Sequence, residues 1–205
     1  MKLLLCPAYL PNVLNFSWMI KQPKVFFYGE LSYQKQSFRN RAEIYGANGK
    51  LKLTIPIKHS KGSIRKSYKN VSIDYDKNWQ KIHWKSICSA YRSSPYFEYY
   101  ESELYPFFQK KQVGLFHFNI ILIEKLMLLI EHSFDYQIVN CGATELDILD
   151  SLISAKKVFK TEFKTYIQVF RNKYGFIPNL SILDVLFNLG PETKRYLKNI
   201  KLNLN

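Results

Sequence analysis

Four groups of residues have the types and spacing to do chemistry. The first is Arg39-Asn40-Arg41, with Glu30 and Tyr33 shortly before it. If 38–44 is a strand, Arg39, Arg41 and Glu43 share one face, and Phe38, Asn40 and Ala42 share the other. Two guanidinium forks on one face would hold a phosphate or carboxylate bidentately. Spacing alone favours a plainer reading, an exposed face on which Arg41 pairs with Glu43 or Glu30. The second group is Trp79-Gln80-Lys81-Ile82-His83-Trp84. Helical spacing puts Trp79, His83, Ser86 and Ala90 on one side and Lys77, Lys81 and Lys85 on another. A histidine there could serve as a general base, although a buried structural histidine is the commoner outcome. The third group is the run from Lys50 to Lys69, which holds seven Lys or Arg and no acid. Such a run can contact phosphates, but a solvated loop is its default. The fourth is Cys6, at the end of an apolar segment and just before Pro7; a buried thiol packing as a small hydrophobe is its expected role.

Other chemistries lack a signature. There is no Gly-x-Ser-x-Gly, P-loop or Gly-x-Gly-x-x-Gly pattern. His59, His117 and His132 have no companions at metal-ligand spacing, so neither a metal nor a cofactor is expected.

These groups need elements to position them. Residues 2–6 and Val25–Tyr28 read as short strands, with a helix between Pro11 and Gln22-Pro23. A hairpin is expected from Phe38 to Ile57 around Gly46-Ala47-Asn48-Gly49. Val71-Ser72-Ile73 is a further candidate strand. Asp76 or Asn78 caps a helix from Trp79 to about Tyr91, which Ser93-Ser94-Pro95 ends. Helices follow over 96–109 and 115–133, then a strand over 136–139. Residues 144–173 read as mostly helical with a basic face. Ser181 caps a last helix, with Asp184 as a capping-box variant and Gly190-Pro191 as the stop. The fold class is α+β, with mixed α/β as the alternative. A strand-rich N-terminal half carries the hairpin, and a helical C-terminal half packs on the sheet. No repeat or Ser/Gly linker divides 1–205, so one domain is expected.

The 205 residues are 47% hydrophobic and 16% aromatic, which excludes intrinsic disorder. Net charge is +14. That charge licenses attraction to anions without naming one, and most of it is Lys, with only six Arg. The odd, widely spaced Cys6, Cys88 and Cys141 argue against a disulfide scaffold and for a reducing cytoplasm. The apolar N-terminus is too short for a signal peptide. Leu115 to Ile130 contains His117, Asn119, Glu124 and Lys125, and so reads as a buried helix rather than a membrane span.

Several segments also resemble those of one family, in the same order along nearly the whole chain. Cys6-Pro7-Ala8-Tyr9-Leu10-Pro11 is similar to the opening Q-P-x-Y-x-P of WbqC-like proteins, with Cys6 in place of the frequent Gln. Tyr33 to Arg41 resembles their F/Y-x-N-R segment in its Bacteroidetes-type form. Asn48-Gly49 to Ile55-Pro56-Ile57 resembles the strand that follows. Trp79 to Trp84, Ala90-Tyr91 and Ser94-Pro95-Tyr96-Phe97 resemble the W-x-K-x-H…Y…P-x-F block. Gln168-Val169-Phe170, Gly175 to Asp184 and Phe187 to Pro191 resemble the closing segment.

The resemblance implies a role in O-antigen or other surface polysaccharide biosynthesis, with aminoacyl (glycyl) transfer to an amino sugar as the suggested reaction. Its implied partners are a nucleotide-linked or lipid-linked sugar and an activated amino acid or aminoacyl-tRNA. Under it, His83 is the candidate base and Asn40 the candidate oxyanion or amide donor. Arg39 and Arg41 clamp a diphosphate, and Tyr9, Tyr33 and Tyr91 bond sugar hydroxyls. Two alternatives stand beside it: a non-catalytic nucleic-acid binder using 50–69 and 156–173, and an accessory subunit of a glycosyltransferase.

Overall fold

The structure is a computed structural model that describes residues 3–58, 66–112, 114–140, 148–157 and 159–202. It is a mixed α+β fold with two small sheets. In the first, β1 (Leu4–Leu5), β2 (Val25–Tyr28) and β5 (Tyr136–Val139) run parallel in the order β1-β2-β5. Leu4 pairs with Phe26, and Phe27 with Ile138. On its other side, Leu4 makes a parallel bridge to Ile148. The chain thus moves from β1 through β2 to β5, then returns to the opposite flank of β1. The carboxyl ends of strands at such a reversal are where open parallel sheets form a crevice.

Parallel neighbours need a crossover, and α1 (Val13–Ile20) supplies the one between β1 and β2. Every residue of α1 is buried, as its nearly all-apolar sequence requires. Asn12 caps it by accepting from the Asn15 N–H at 2.9 Å. The second sheet is the expected hairpin, β3 (Arg41–Gly46) against β4 (Gly49–Thr54), closing on Ala47-Asn48. Gly49 sits at φ 90°, a conformation that favours glycine. Residues 71–73 contribute isolated bridges, Ile73 to Ile57 and Ser72 to Gly114, in place of a strand.

Helices α2 (Trp79–Tyr91), α3 (Phe97–Leu104) and α4 (Leu115–Leu129) follow the expected pattern. Two details differ. Asn78 starts α2 with no side-chain cap bond, and a 3-10 turn over Tyr105–Phe108 replaces the last part of the 96–109 helix. The larger difference lies in 144–173. Residues 144–147 fall outside the described residues, as do Cys141 and residues 59–65 of the basic run, His59 among them. Of the remainder, Asp150–Ile153 is a 3-10 turn, and α5 is only Arg171–Tyr174. From 159 to 168 the chain is an extended strap. Phe159, Thr161 and Phe163 turn inward while Lys160, Glu162 and Lys164 turn outward. That period of two is an extended pattern, and it overrides the helix preference of the lysines and glutamate. The chain ends in α6 (Ile182–Leu189) and α7 (Thr193–Asn199).

One contiguous apolar core joins α1, both sheets, α2–α4 and α6. Among the described residues, no helix is long and apolar enough to cross a membrane.

Candidate functional site

The loop leaving β1 anchors the site. Tyr9 is fully buried, and its N–H donates to the Phe38 carbonyl at 2.9 Å. Its hydroxyl meets His83 Nδ1 at 2.9 Å. The His83 ring also bonds the Thr54 backbone. Tyr9 donating to Nδ1, with the other ring nitrogen donating to the Thr54 carbonyl, satisfies all three groups and selects the neutral tautomer. Burial favours the same state, lowering the His83 pKa to about 4. Tyr9, Trp79, Phe118 and His83 form one aromatic cluster.

Asn40 grips the next residue along. Its Nδ2 donates to the Ile55 carbonyl at 2.8 Å, and its own carbonyl accepts from the Ile55 N–H at 2.8 Å. His83 and Asn40 therefore hold consecutive residues of the chain leaving β4. Arg41 lies opposite Thr54 in the hairpin register.

Residues 38–40 form a turn rather than part of β3, so Arg39 does not share a strand face with Arg41 and Glu43. Arg39 is instead driven inward and is fully buried. Its guanidinium donates to Ser37 Oγ at 3.3 Å and Cys6 Sγ at 3.5 Å, and lies over the Tyr68 ring. The Asn119 amide ties this turn to the end of β1. It donates to the Arg39 carbonyl at 2.6 Å, to Tyr68 Oη at 2.6 Å and to the Pro7 carbonyl at 3.3 Å.

Arg41 is different. It is half-buried, and its Nε is buried with no hydrogen-bond partner among the described residues. The two carboxylates that spacing offered it are engaged elsewhere: Glu43 pairs with Lys50 at 2.9 Å and Glu30 with Lys69 at 3.4 Å. Tyr33 feels both arginines. Burial pushes its pKa up to about 12, while Arg39 and Arg41 pull it back; the hydroxyl stays a proton donor. Arg41 and Tyr33 can thus present a fork and an O–H to an anion.

Tyr91 is not part of this group. Its hydroxyl accepts from the Tyr45 N–H at 3.1 Å, and its ring packs on Phe187. There it faces a second polar centre, Asp184. Asp184 is fully buried and makes no capping box. Its Oδ2 accepts from the Tyr166 hydroxyl and from Gln168 Nε2 at 2.8 Å. Tyr91 reaches the carboxyl only weakly, and Oδ1 closes no hydrogen bond of ordinary length. Burial raises the Asp184 pKa to about 6 against these donors. Gln168 also bonds the Ile177 N–H and carbonyl, each at 2.9 Å, so the centre fastens the extended strap onto α6. In the sequence, Asn119 and Asp184 stand among few polar residues in largely apolar helical runs.

Fold and site together define an α+β protein whose polar cluster lies at the carboxyl end of a short parallel sheet. The profile of the WbqC-like protein family matches residues 6–148, and the chain belongs to that family. The matched region contains Tyr9, Tyr33, the Arg39–Arg41 turn, His83 and Asn119. An uncharacterized protein of Mycobacterium tuberculosis is 24% identical over 224 residues, covering 93% of this chain and 94% of the relative. No solved structure matches.

Proposed function

We propose that the chain is a cytoplasmic enzyme of surface polysaccharide biosynthesis, O-antigen or capsule, acting as one domain on a nucleotide-linked or lipid-linked sugar. The observation that carries this reading is Arg41. A half-buried guanidinium, without an acidic partner among the described residues, stands beside Tyr33 and above residues locked by Asn40, Tyr9 and His83. A diphosphate supplies the missing anion: it takes the Arg41 fork, accepts the Tyr33 proton, and leaves the sugar over Asn40. Family membership supports the polysaccharide setting.

The reaction we assign is aminoacyl (glycyl) transfer to an amine of the sugar, from an activated amino acid or an aminoacyl-tRNA. The amine forms a C–N bond at the acyl carbonyl, the donor's C–O bond breaks, and the leaving oxygen takes the amine's proton. One Asn40 N–H is committed to Ile55, and the rest of its amide serves the reacting groups. His83, neutral and held on both edges, fixes Tyr9 and the Thr54–Ile55 backbone beneath them. It accepts a proton only at the nitrogen that Tyr9 now fills.

The test is the glycan itself. A strain carrying Arg41→Gln or Asn40→Ala should produce surface polysaccharide lacking an acyl substituent, seen by mass spectrometry as the loss of one fixed mass. An unchanged glycan from a strain deleted for the gene would remove this function altogether.

A further inference from the structure

The outer surface formed by β4, α2, α3 and α4 carries opposite charges on its two halves. On α2, Lys81 precedes Ile82 and Lys85 lies one turn on, while Arg92 follows the helix end; all are exposed, Ile82 to 58%. Leu51 of β4 is also exposed and lines a groove of about 370 Å³ with Lys85 and Ser86. This half is basic and apolar. In a chain of net charge +14, α3 is acidic: Phe97–Leu104 contains Glu98, Glu101 and Glu103 and no Lys or Arg. Tyr99, between them, is 75% exposed, and Leu128 on α4 is 67% exposed. Glu131 lies just past the end of α4.

The halves are adjacent. Trp84 of α2 stacks against Phe97 of α3 and against Tyr105 just beyond it. Cys88 of α2 lies in the field of Glu101. Lys125 of α4 bonds Glu103 of α3 at 2.6 Å. The basic ridge of α2 and the acidic ridge of α3 are therefore neighbours, each with a large exposed apolar side chain.

We infer that this surface pairs with a second copy of the chain about a two-fold axis. A two-fold makes each residue of the patch meet its counterpart's neighbour reciprocally. It sets the α2 ridge of one copy against the α3 ridge of the other, and the reverse pairing follows by symmetry. Both charge contacts are then attractive, and Ile82, on the outer flank of one copy's α2 ridge, meets Tyr99 and Leu128 beyond the α3 ridge of the other, so exposed apolar side chains leave water beside the charge pairs. A foreign partner of single charge would match one ridge and be repelled by the other. His83 lies on the buried face of α2, so pairing leaves the Arg41 site open.

Sedimentation of the full chain at micromolar concentration and physiological salt tests this. The unsubstituted chain should run as a dimer. Glu98→Lys with Glu101→Lys makes both ridges basic, and Lys81→Glu with Lys85→Glu makes both acidic; each variant should be monomeric. Mixing the two should restore a dimer, because every ridge again meets its opposite. Circular dichroism confirms folding, and Tyr99→Ser with Leu128→Ser provides a charge-neutral variant that should also dissociate. A monomeric parent chain, or variants that remain monomeric when mixed, would overturn the proposal.

Discussion

Two buried groups titrate in opposite directions over nearly the same pH range, and replacing one should expose the other. Asp184 has its folded pKa raised from 3.8 to about 6 by burial. Between those values the native chain holds a proton that the unfolded chain has released. This contribution to stability is full below pH 3.8 and is lost as pH rises through 6. The difference is worth about 3 kcal/mol. His83 has its folded pKa lowered from 6.5 to about 4, again by burial. Here the unfolded chain takes up a proton that the native chain refuses. Stability from His83 is full above pH 6.5 and falls away towards pH 4, also by about 3 kcal/mol. Acidification from pH 7.5 to 4 therefore gains at Asp184 nearly what it loses at His83. In Asp184→Asn, a near-isostere that still accepts from Tyr166, the gain disappears and the loss remains. Urea unfolding at pH 7.5 and pH 4 should show the variant losing about 2–3 kcal/mol more than the parent chain on acidification. With a slope of about 2 kcal/mol/M, that is a relative shift of about 1 M in midpoint. Surface carboxylates titrate equally in both chains and cancel in the difference. Parallel pH profiles for the two chains would refute the burial argument for Asp184.

Other outcomes follow from the same contacts. Tyr9→Phe leaves His83 Nδ1 without its donor and should cost about 1–3 kcal/mol in chemical denaturation; an unchanged midpoint would mean that the Tyr9–His83 bond contributes nothing. Asn119→Leu leaves the Arg39 carbonyl and Tyr68 Oη without the amide they accept from, so it should lower the melting temperature more than Asn70→Leu, whose exposed amide bonds Ser67. Gly190→Ala places a Cβ 2.5 Å from the Tyr96 ring at φ 52°, so it should destabilise the α6–α7 junction by more than 1 kcal/mol, about the scale of backbone strain alone. A variant as stable as the parent would show that Tyr96 moves aside freely.

Local features of the fold could be read directly from the sequence. The hairpin announces itself by Gly46-Ala47-Asn48-Gly49 between alternating arms, and the helices by their caps and breakers. The parallel sheet could not be paired from sequence. Strands of two to four residues carry little pattern, and Leu4, Phe26 and Gln137 meet only because the intervening helices bring them back. The strap at 159–167 misleads because its lysines and glutamate suit a helix, while its inward residues recur every second position. In the site, Arg39 and Arg41 looked like partners on one strand. The turn at 38–40 separates them, burying one and leaving the other uncommitted. The meeting of Tyr9, Asn40 and His83 around Thr54–Ile55 has no spacing rule behind it; the ordered family-like blocks pointed to these residues. Tyr91 belongs with Asp184 because it lies two turns beyond His83 on the buried face of α2, against Phe187 of α6, which its sequence neighbours do not reveal.

The central claim is that Arg41 binds the anionic part of an activated sugar. Calorimetric titration of the full chain with a panel of UDP- and dTDP-linked sugars tests it most directly, with Arg41→Gln alongside. At least one ligand should bind the parent chain, and Arg41→Gln should weaken it by about tenfold or more, as expected for losing a charge-assisted bidentate contact. Equal affinity for the two chains, or no binding of any sugar by a folded parent chain, would contradict the account.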